Sequence, residues 1–184
     1  PFLPAGFYYK TFMWPASFWE KYEFFIRYSA GLGKSPTTKD PDNYDHRNVH
    51  YDVLVVGAGI SGILAAKNAA KNNFKTLLVD EKNELGGSTI IENNEFNKID
   101  NKAPSEWLKK EIKELKNIKN LEIKTRTSVA AYHQYNYLLA RENLTDHLEK
   151  KDKSNKIRQR LLKIRAKKVI LATGALERPL IFNN

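Results

Sequence analysis

The sequence predicts an α/β protein: a Rossmann-like parallel sheet with a three-stranded β-meander, preceded by an aromatic-rich leader with one helix. Two continuous apolar runs, at residues 53–56 and 76–79, are typical of strands buried on both faces of a parallel sheet. The stretch between them is rich in alanine and predicts a helix that packs closely on the sheet. Short apolar segments after residue 127 predict the meander.

The leader holds more than half of the aromatic residues of the chain within its first 28 positions. A free tail would not carry so much apolar surface, so we expect it to pack on the following domain or against another domain or subunit. Ser17 and Glu20 match a capping box that opens a helix of about three turns ending near Gly31. Residues 34–50 are polar and lack periodicity, which predicts a linker.

Three glycines follow the first apolar run at the spacing G-x-G-x-x-G: Gly57, Gly59 and Gly62. With a strand before them, a helix after them and Asp80-Glu81 about 20 residues further on, they are typical of a dinucleotide-binding unit. In such a unit Gly57 permits a tight turn, Gly59 lets a pyrophosphate approach the backbone, and Gly62 lets helix and strand pack closely. The amides and dipole of the helix start add a site for a dianion.

The two acidic residues after the second apolar run indicate which dinucleotide the protein binds. A carboxylate at Asp80 or Glu81 would accept hydrogen bonds from ribose hydroxyls and would repel a 2′-phosphate. We therefore expect NAD or FAD in preference to NADP. The spacing permits either acid to hold the ribose.

The later elements follow in order. Gly86-Gly87-Ser88 is either a second place where backbone approaches a ligand or an ordinary flexible turn. Residues 104–117 predict an amphipathic helix and residues 121–123 a further parallel strand. Antiparallel strands are predicted at residues 128–132, 137–141 and 160–165, with a charged, mobile loop at 149–156. A final apolar strand is predicted at 168–171. The final strand runs into Ala172-Thr173-Gly174, where small residues let a dinucleotide lie against backbone.

Composition excludes several classes of site. The 184 residues include no cysteine, so they contain no disulfide, thiol nucleophile or thiolate metal site. Four histidines, His46, His50, His133 and His147, show no ligand spacing, and we expect no metal. The net charge of +10 is spread along the chain without a nucleic-acid-binding motif, so we do not expect nucleic acid as a partner. No apolar run spans a membrane and no signal peptide is evident, which predicts a soluble, cytoplasmic protein.

The order of motifs resembles the two-dinucleotide-binding flavoprotein superfamily. The motifs are GAGISG, LVDE, LGG, the meander and VILATGA, within residues 51–178. The resemblance implies that the first glycines hold the pyrophosphate, that the acid holds the adenine ribose, and that backbone near Val129 meets the adenine. The cofactor-binding residues expected on this basis are Gly57, Ala58, Gly59, Ile60, Ser61, Gly62, Asp80, Glu81, Gly87, Ser88, Val129, Ala172, Thr173 and Gly174.

The leader narrows the resemblance. Residues 4–15, 18–33, 40–44 and 172–184 are similar to the α subunit of heterotetrameric sarcosine oxidase. That family implies a complex that oxidatively demethylates sarcosine to glycine, passing electrons to oxygen and the one-carbon unit to tetrahydrofolate. It implies NAD in this domain, FMN between α and β, catalytic FAD on β, and folate on the α C-terminal domain. The amine-oxidising residues would lie outside this chain, so we assign no catalytic residue.

The expected organisation is a leader and helix at 1–33, a linker at 34–50, and a C-terminally incomplete FAD/NAD(P)-binding domain at 51–184, as in a piece of a longer protein. Three alternatives stay open at this point. They are the α subunit of an opine, proline or cyanide-forming amino-acid dehydrogenase, a thioredoxin reductase whose cysteines would follow residue 184, and a non-catalytic dinucleotide-binding interaction module. A disulfide reductase with its cysteine after the double glycine is disfavoured by Ser88, Thr89 and Ile90.

Overall fold

The computed structural model describes residues 15–33, 37–90, 98–149 and 156–175. The chain divides into two compact units, Pro1–Pro41 and Asp42–Asn184. Residues 1–14 of the aromatic leader, residues 150–155 of the charged loop and residues 176–184 lie outside the described ranges, so the expectations for them stay predictions.

The described part of the first unit is one short helix. A 3-10 turn at Ala16–Phe18 leads into α1, Trp19–Ser29, which has no buried residue. The predicted end near Gly31 is confirmed, because that glycine has φ +69° and follows the helix cap at Ala30. The predicted capping box is wrong. Ser17 lies inside the 3-10 turn, and the helix begins after Phe18 without a side-chain cap.

In its described residues, the second unit is a six-stranded mixed sheet with two α-helices. Its elements are β1 Asn43–Val56, α2 Ile60–Lys71, β2 Thr76–Val79, α3 Pro104–Lys116, β3 Leu121–Lys124, β4 Thr127–His133, β5 Tyr137–Asn143 and β6 Ile157–Leu171. The spatial order is β3-β2-β1-β6-β5-β4. Strands β3, β2, β1 and β6 are parallel, and β6, β5 and β4 are antiparallel neighbours. The predicted α/β class, the parallel sheet and the three-stranded meander are confirmed.

Two strands are longer than the sequence predicted. Strand β1 begins at Asn43, so residues 43–50 are strand where we expected a linker. They are ordered because β6 pairs with them in parallel, from Tyr44 opposite Gln159 to His50 opposite Arg165. Strand β6 is likewise one element where we expected two, since its register continues through Ala166 opposite Tyr51.

The apolar run of β1 at residues 53–56 and all four residues of β2 are buried, as expected for central strands of a parallel sheet. Leu54 and Val56 belong to a core shared with β2, β5 and β6. Val53 and Val55 belong to a second core, which includes residues of both helices. The carboxyl ends of β1 and β2 are therefore fixed from both sides, whereas Ile170 and Leu171 at the end of β6 are exposed. The candidate site lies at the ends of these three strands.

Candidate dinucleotide site

The turn after β1 needs glycine at two positions for reasons internal to the fold. Gly57 has φ +98°, and a Cβ built there would lie 2.3 Å from the carbonyl oxygen of Ala172. A Cβ at Gly62 would lie 1.8 Å from the carbonyl oxygen of Gly57. Both contacts are with backbone and cannot relax by a rotamer change, so these glycines let the turn, α2 and the end of β6 pack together.

Gly59 differs from both. Its backbone, at φ −70° and ψ −175°, is open to any residue. A Cβ built there would meet no atom within 4 Å among the described residues. The described part of the chain therefore gives no steric reason for glycine here. The space in front of Gly59 is accessible to a ligand that needs to reach the backbone.

The start of α2 offers donors to such a ligand. Gly59 is the N-cap, and the first intrahelical bond runs from Ile63 N to Gly59 O at 2.9 Å. The N–H groups of Ile60, Ser61 and Gly62 precede that bond, and no side chain among the described residues caps this helix end. Three free amides at the positive end of the helix dipole favour a phosphate group.

Asp80 lies beside this turn. It directly follows β2, and its Oδ2 accepts a hydrogen bond from Ala58 N at 2.6 Å. Its Oδ1 accepts one from Lys82 N at 2.8 Å. The carboxylate is thus oriented between the glycine turn and the chain after β2, whereas Glu81 is exposed.

The second glycine turn packs directly on the first. Gly86 N donates to Ala58 O at 2.7 Å, and a Cβ at Gly87 would lie 3.0 Å from Gly59 Cα. On the other side, Ala172 N donates to Val56 O at 2.7 Å. The three segments that we predicted from separate motifs therefore meet at the carboxyl ends of β1, β2 and β6.

Some predicted residues lie further out. Ser88, Thr173 and Gly174 are exposed beside these segments. Val129 is half-buried in β4 and packs against the core shared by β1, β2, β5 and β6. Strand β4 begins close to Asp80, because Thr127 N donates to Asp80 O at 2.8 Å.

A polar pocket of about 500 Å³ opens next to Asp80, and Glu81 alone among its lining residues was predicted to bind the cofactor. It is lined by Glu81, Lys82, Asn83, Arg126, Asn143, Asp146 and His147. Backbone hydrogen bonds join its walls: Arg126 N donates to Lys82 O at 2.8 Å, and Asn143 N donates to Arg126 O at 2.9 Å. The side-chain Oδ1 of Asn143 is buried and finds no hydrogen-bond partner in the part of the chain that the structure describes.

These residues were missed because the meander brings them in from three separate places in the chain. The one usable signal was position, since each follows or precedes a predicted strand. In the described ranges, no group of three or more His, Asp or Glu side chains is placed to hold a metal ion. No helix in the same ranges is long and apolar enough to cross a membrane.

The arrangement of two glycine turns, an acid after β2 and a meander that leads into β6 can be compared with known proteins. The family model described as pyridine nucleotide-disulphide oxidoreductase matches residues 51–183. The chain belongs to this family. Since none of its 184 residues is cysteine, the disulphide chemistry in the family's name has no residue in this chain.

The sequence is also similar to two curated sarcosine oxidase α subunits. The chain is 43% identical over 183 residues to sarcosine oxidase subunit alpha of Rhizobium meliloti (strain 1021), covering 99% of this chain and 18% of the relative. It is 39% identical over 155 residues to the subunit of the same name from Corynebacterium sp. (strain U-96), covering 84% and 16%. The chain spans less than a fifth of the length of these relatives. The predicted resemblance to this α subunit is confirmed.

Among solved structures, the fold is similar to L-proline dehydrogenase from P. horikoshii. The TM-score is 0.59 at 26% sequence identity, over 76% of this chain and 26% of that chain. This similarity agrees with the oxidoreductase-type nucleotide-binding fold that the glycine turns and the meander predicted.

Proposed function

We propose that this chain is the dinucleotide-binding portion of a sarcosine oxidase-type α subunit. The observation that carries the binding function is Gly59, where a Cβ would meet no described atom within 4 Å, at the start of α2 and next in sequence to Ala58, whose N–H is bonded to Asp80. Phosphate at the helix start and ribose near Asp80 would place both polar parts of a nucleotide at this edge of the sheet.

The residues fit the ADP half that NAD and FAD share. The pyrophosphate would contact the amides of Ile60, Ser61 and Gly62, and Gly87, Ser88 and Ala172–Gly174 would line the cofactor beyond it. Asp80, in preference to Glu81, would accept from the ribose because its carboxylate is already turned toward Ala58. The base would then enter the polar pocket, with the backbone near Val129 beside it.

The cofactor in this domain is proposed to be NAD, with FAD as the alternative. The similarity to a sarcosine oxidase α subunit over 99% of the chain supports NAD, because NAD is the cofactor that the resemblance to that family implies for this domain. In the whole complex, FMN would lie between α and β, and the catalytic FAD on β. This chain would then bind a dinucleotide and carry no residue that attacks or deprotonates the amine.

The proposed reaction of the complex is oxidation of sarcosine to glycine, with the one-carbon unit passed to tetrahydrofolate by the part of α that follows this chain. The proposed partners are the β and other subunits of a cytoplasmic heterotetramer. The identities of 43% and 39% to sarcosine oxidase α subunits support this function.

A second candidate is the α subunit of a related FAD/NAD-dependent amino-acid or opine dehydrogenase. The structural similarity to L-proline dehydrogenase favours it, since the matched region has a TM-score of 0.59 and covers 76% of this chain. A third candidate, of another class, is a non-catalytic dinucleotide-binding module whose aromatic leader binds a partner.

One experiment separates these candidates. The complete subunit is purified with its partners, titrated with NAD and FAD, and assayed with sarcosine, L-proline and an opine. Binding together with oxygen-dependent sarcosine oxidation is the expected result. Oxidation of L-proline or the opine alone would favour the dehydrogenase, and binding without any amine oxidation would favour the module. If neither dinucleotide binds, the proposed function is wrong.

A further inference from the structure

Asp146, in one wall of the polar pocket, is held from outside the pocket by residues of β6. Arg158 Nε donates to Asp146 Oδ1 at 2.7 Å, and Gln159 Nε2 donates to Asp146 Oδ2 at 2.9 Å. The backbone makes a further connection, because Leu144 N donates to Arg158 O at 3.0 Å. Arg158 itself does not line the pocket, so any effect on a ligand must pass through Asp146 and its neighbours.

The same guanidinium also holds the chain before β1. Its Nη1 donates to Asp42 Oδ2 at 2.5 Å. One planar cation therefore joins Asp42, at the start of the second unit, to Asp146 in the pocket wall. Arginine suits this position because its donors form a rigid fork, whereas a lysine ammonium is a point charge on a flexible stem.

The ion pair of Arg158 and Asp146 lies where a modest displacement would change the contacts of a ligand in the pocket. Asn143, Asp146 and His147 line the same pocket as Glu81 and Lys82, and Lys82 N donates a hydrogen bond to Asp80 Oδ1. If the wall moves, the width of the pocket next to the ribose position changes while the glycine turn and the start of α2 keep their geometry. Arg158 would then affect one end of the nucleotide only.

We propose that Arg158 is a positioning residue for the adenosine end of the bound dinucleotide, acting through Asp146. This rests on the proposed function, since it assumes that the polar pocket receives the base. It concerns a residue that touches neither the phosphates nor the ribose.

The test compares two ligands that differ at the proposed end. ADP carries adenosine and two phosphates, whereas inorganic pyrophosphate carries only the phosphates. In the complete subunit, Arg158→Lys and Arg158→Gln should each weaken ADP binding about fivefold and leave pyrophosphate binding unchanged, a size typical of partly exposed ion pairs. Asp146→Asn should do the same, and combining it with Arg158→Gln should add little further loss.

Arg160 provides a matched control on the same strand. It also joins two carboxylates, with Nε 2.9 Å from Asp45 Oδ2 and Nη1 3.3 Å from Glu142 Oε2. Neither Asp45 nor Glu142 lines the 500 Å³ pocket that Asp146 lines. Its side chain is 12% exposed against 41% for Arg158. Arg160→Lys should therefore lower the melting temperature more than Arg158→Lys while changing the ADP affinity less.

The outcomes are distinct from those of the proposed function. If wild type binds ADP and the Arg158 and Asp146 variants bind it equally well, the positioning role is wrong and the dinucleotide site stands. A loss of ADP and pyrophosphate binding in equal measure would also overturn the role, because it would indicate general damage to the site. Wild type that binds neither ligand would overturn both proposals. If the Arg158 variants do not fold, Asp146→Asn decides the matter alone.

Discussion

The carboxylate of Asp80 accepts a hydrogen bond from the backbone N–H of Ala58, with Asp80 Oδ2 and Ala58 N 2.6 Å apart. This bond joins the end of β2 to the middle of the glycine turn after β1. The other carboxylate oxygen accepts from Lys82 N, so the side chain has a fixed orientation before any ligand is bound. Glu81 is exposed.

Asp80→Asn should impair both stability and binding. An amide has one acceptor oxygen, so one of the two backbone N–H groups would face an NH₂ group instead of an acceptor. We expect a loss of about 1–3 kcal/mol in the free energy of unfolding and about tenfold weaker ADP binding, measured by denaturant titration and calorimetry. Glu81→Gln is the comparison: Glu81 is exposed and lines the polar pocket, so this variant should keep wild-type stability and weaken ADP binding less than Asp80→Asn does. Stronger loss of ADP binding in Glu81→Gln than in Asp80→Asn would show that the ribose is held by Glu81.

Gly59→Val should block binding without unfolding the protein. The backbone at Gly59 suits a β-branched residue, and the space around its Cβ is open among the described residues. We expect the melting temperature to stay near the wild-type value while ADP binding weakens by at least about tenfold. The ADP affinity of Gly59→Ala should lie between those of wild type and the valine variant. Unchanged ADP affinity in the valine variant would refute the phosphate site.

Gly62→Ala should give the opposite pattern. A methyl group there would lie 1.8 Å from Gly57 O, so α2 would have to move away from the turn. Such overpacking costs about 3 kcal/mol of unfolding free energy. Denaturant titration of the alanine variant measures it, and wild-type stability would show that the turn can relax.

Lys67 is expected to be a structural cation between the helices. Its Nζ lies 2.5 Å from Glu111 Oε2 and 2.7 Å from Glu114 Oε2, and the side chains of Lys67 and Glu111 are 14% and 6% exposed. Burial lowers the pKa of Lys67, but the hydrogen bonds with Glu111 and Glu114 outweigh this and raise it above the ordinary value.

Lys67→Met should therefore destabilise the fold by about 3–5 kcal/mol, because Glu111 would remain buried without its cation. Lys67→Met with Glu111→Leu should recover most of the loss. Thermal and denaturant unfolding measure both variants. A double variant as unstable as the single one would show that packing, and not the unpaired carboxylate, causes the damage.

Acid should weaken the contact between β1 and β3. Burial raises the pKa of Glu122, but hydrogen bonds from Tyr51 and Lys124 outweigh it, and the pKa lies below its ordinary value. The folded state thus binds this proton less readily than the unfolded chain. The contribution of Glu122 is present above the unfolded pKa of about 4.3 and is lost as the pH falls through the folded pKa.

Melting temperature measured between about pH 6 and pH 3 checks this expectation, because the linked proton uptake occurs in that range. Glu122→Gln should have a lower melting temperature at neutral pH and a shallower decline toward acid. Glu84→Gln, at an exposed loop position, is the control and should follow wild type. A Glu122→Gln variant that declines as steeply as wild type would contradict the assignment.

Local chemistry in the sequence was sufficient to predict the nucleotide-binding unit. The apolar run of β1, the three glycines and the acid after β2 are close in the chain, and each has a direct steric or electrostatic meaning. The bounds of β2 at Thr76–Val79 were predicted correctly, because a short apolar run between polar turns has few other interpretations.

The errors came from long-range pairing. Residues 43–50 are polar and looked like a linker, yet they form strand because β6, more than 100 residues later, supplies the backbone partners. For the same reason the predicted strands at 160–165 and 168–171 left a gap at residues 166–167, although β6 runs without a break from Ile157 to Leu171.

The sequence by itself determined that a glycine turn, a helix start and an acid would lie at one edge of a parallel sheet. Only the tertiary structure decided which acid faces the turn, that Gly57 and Gly62 serve the fold while Gly59 is open, and that the meander adds a polar pocket held by Arg158. The physical reason is that motifs fix local backbone geometry, whereas the distance between side chains on separate strands depends on sheet order and register, which no local pattern contains.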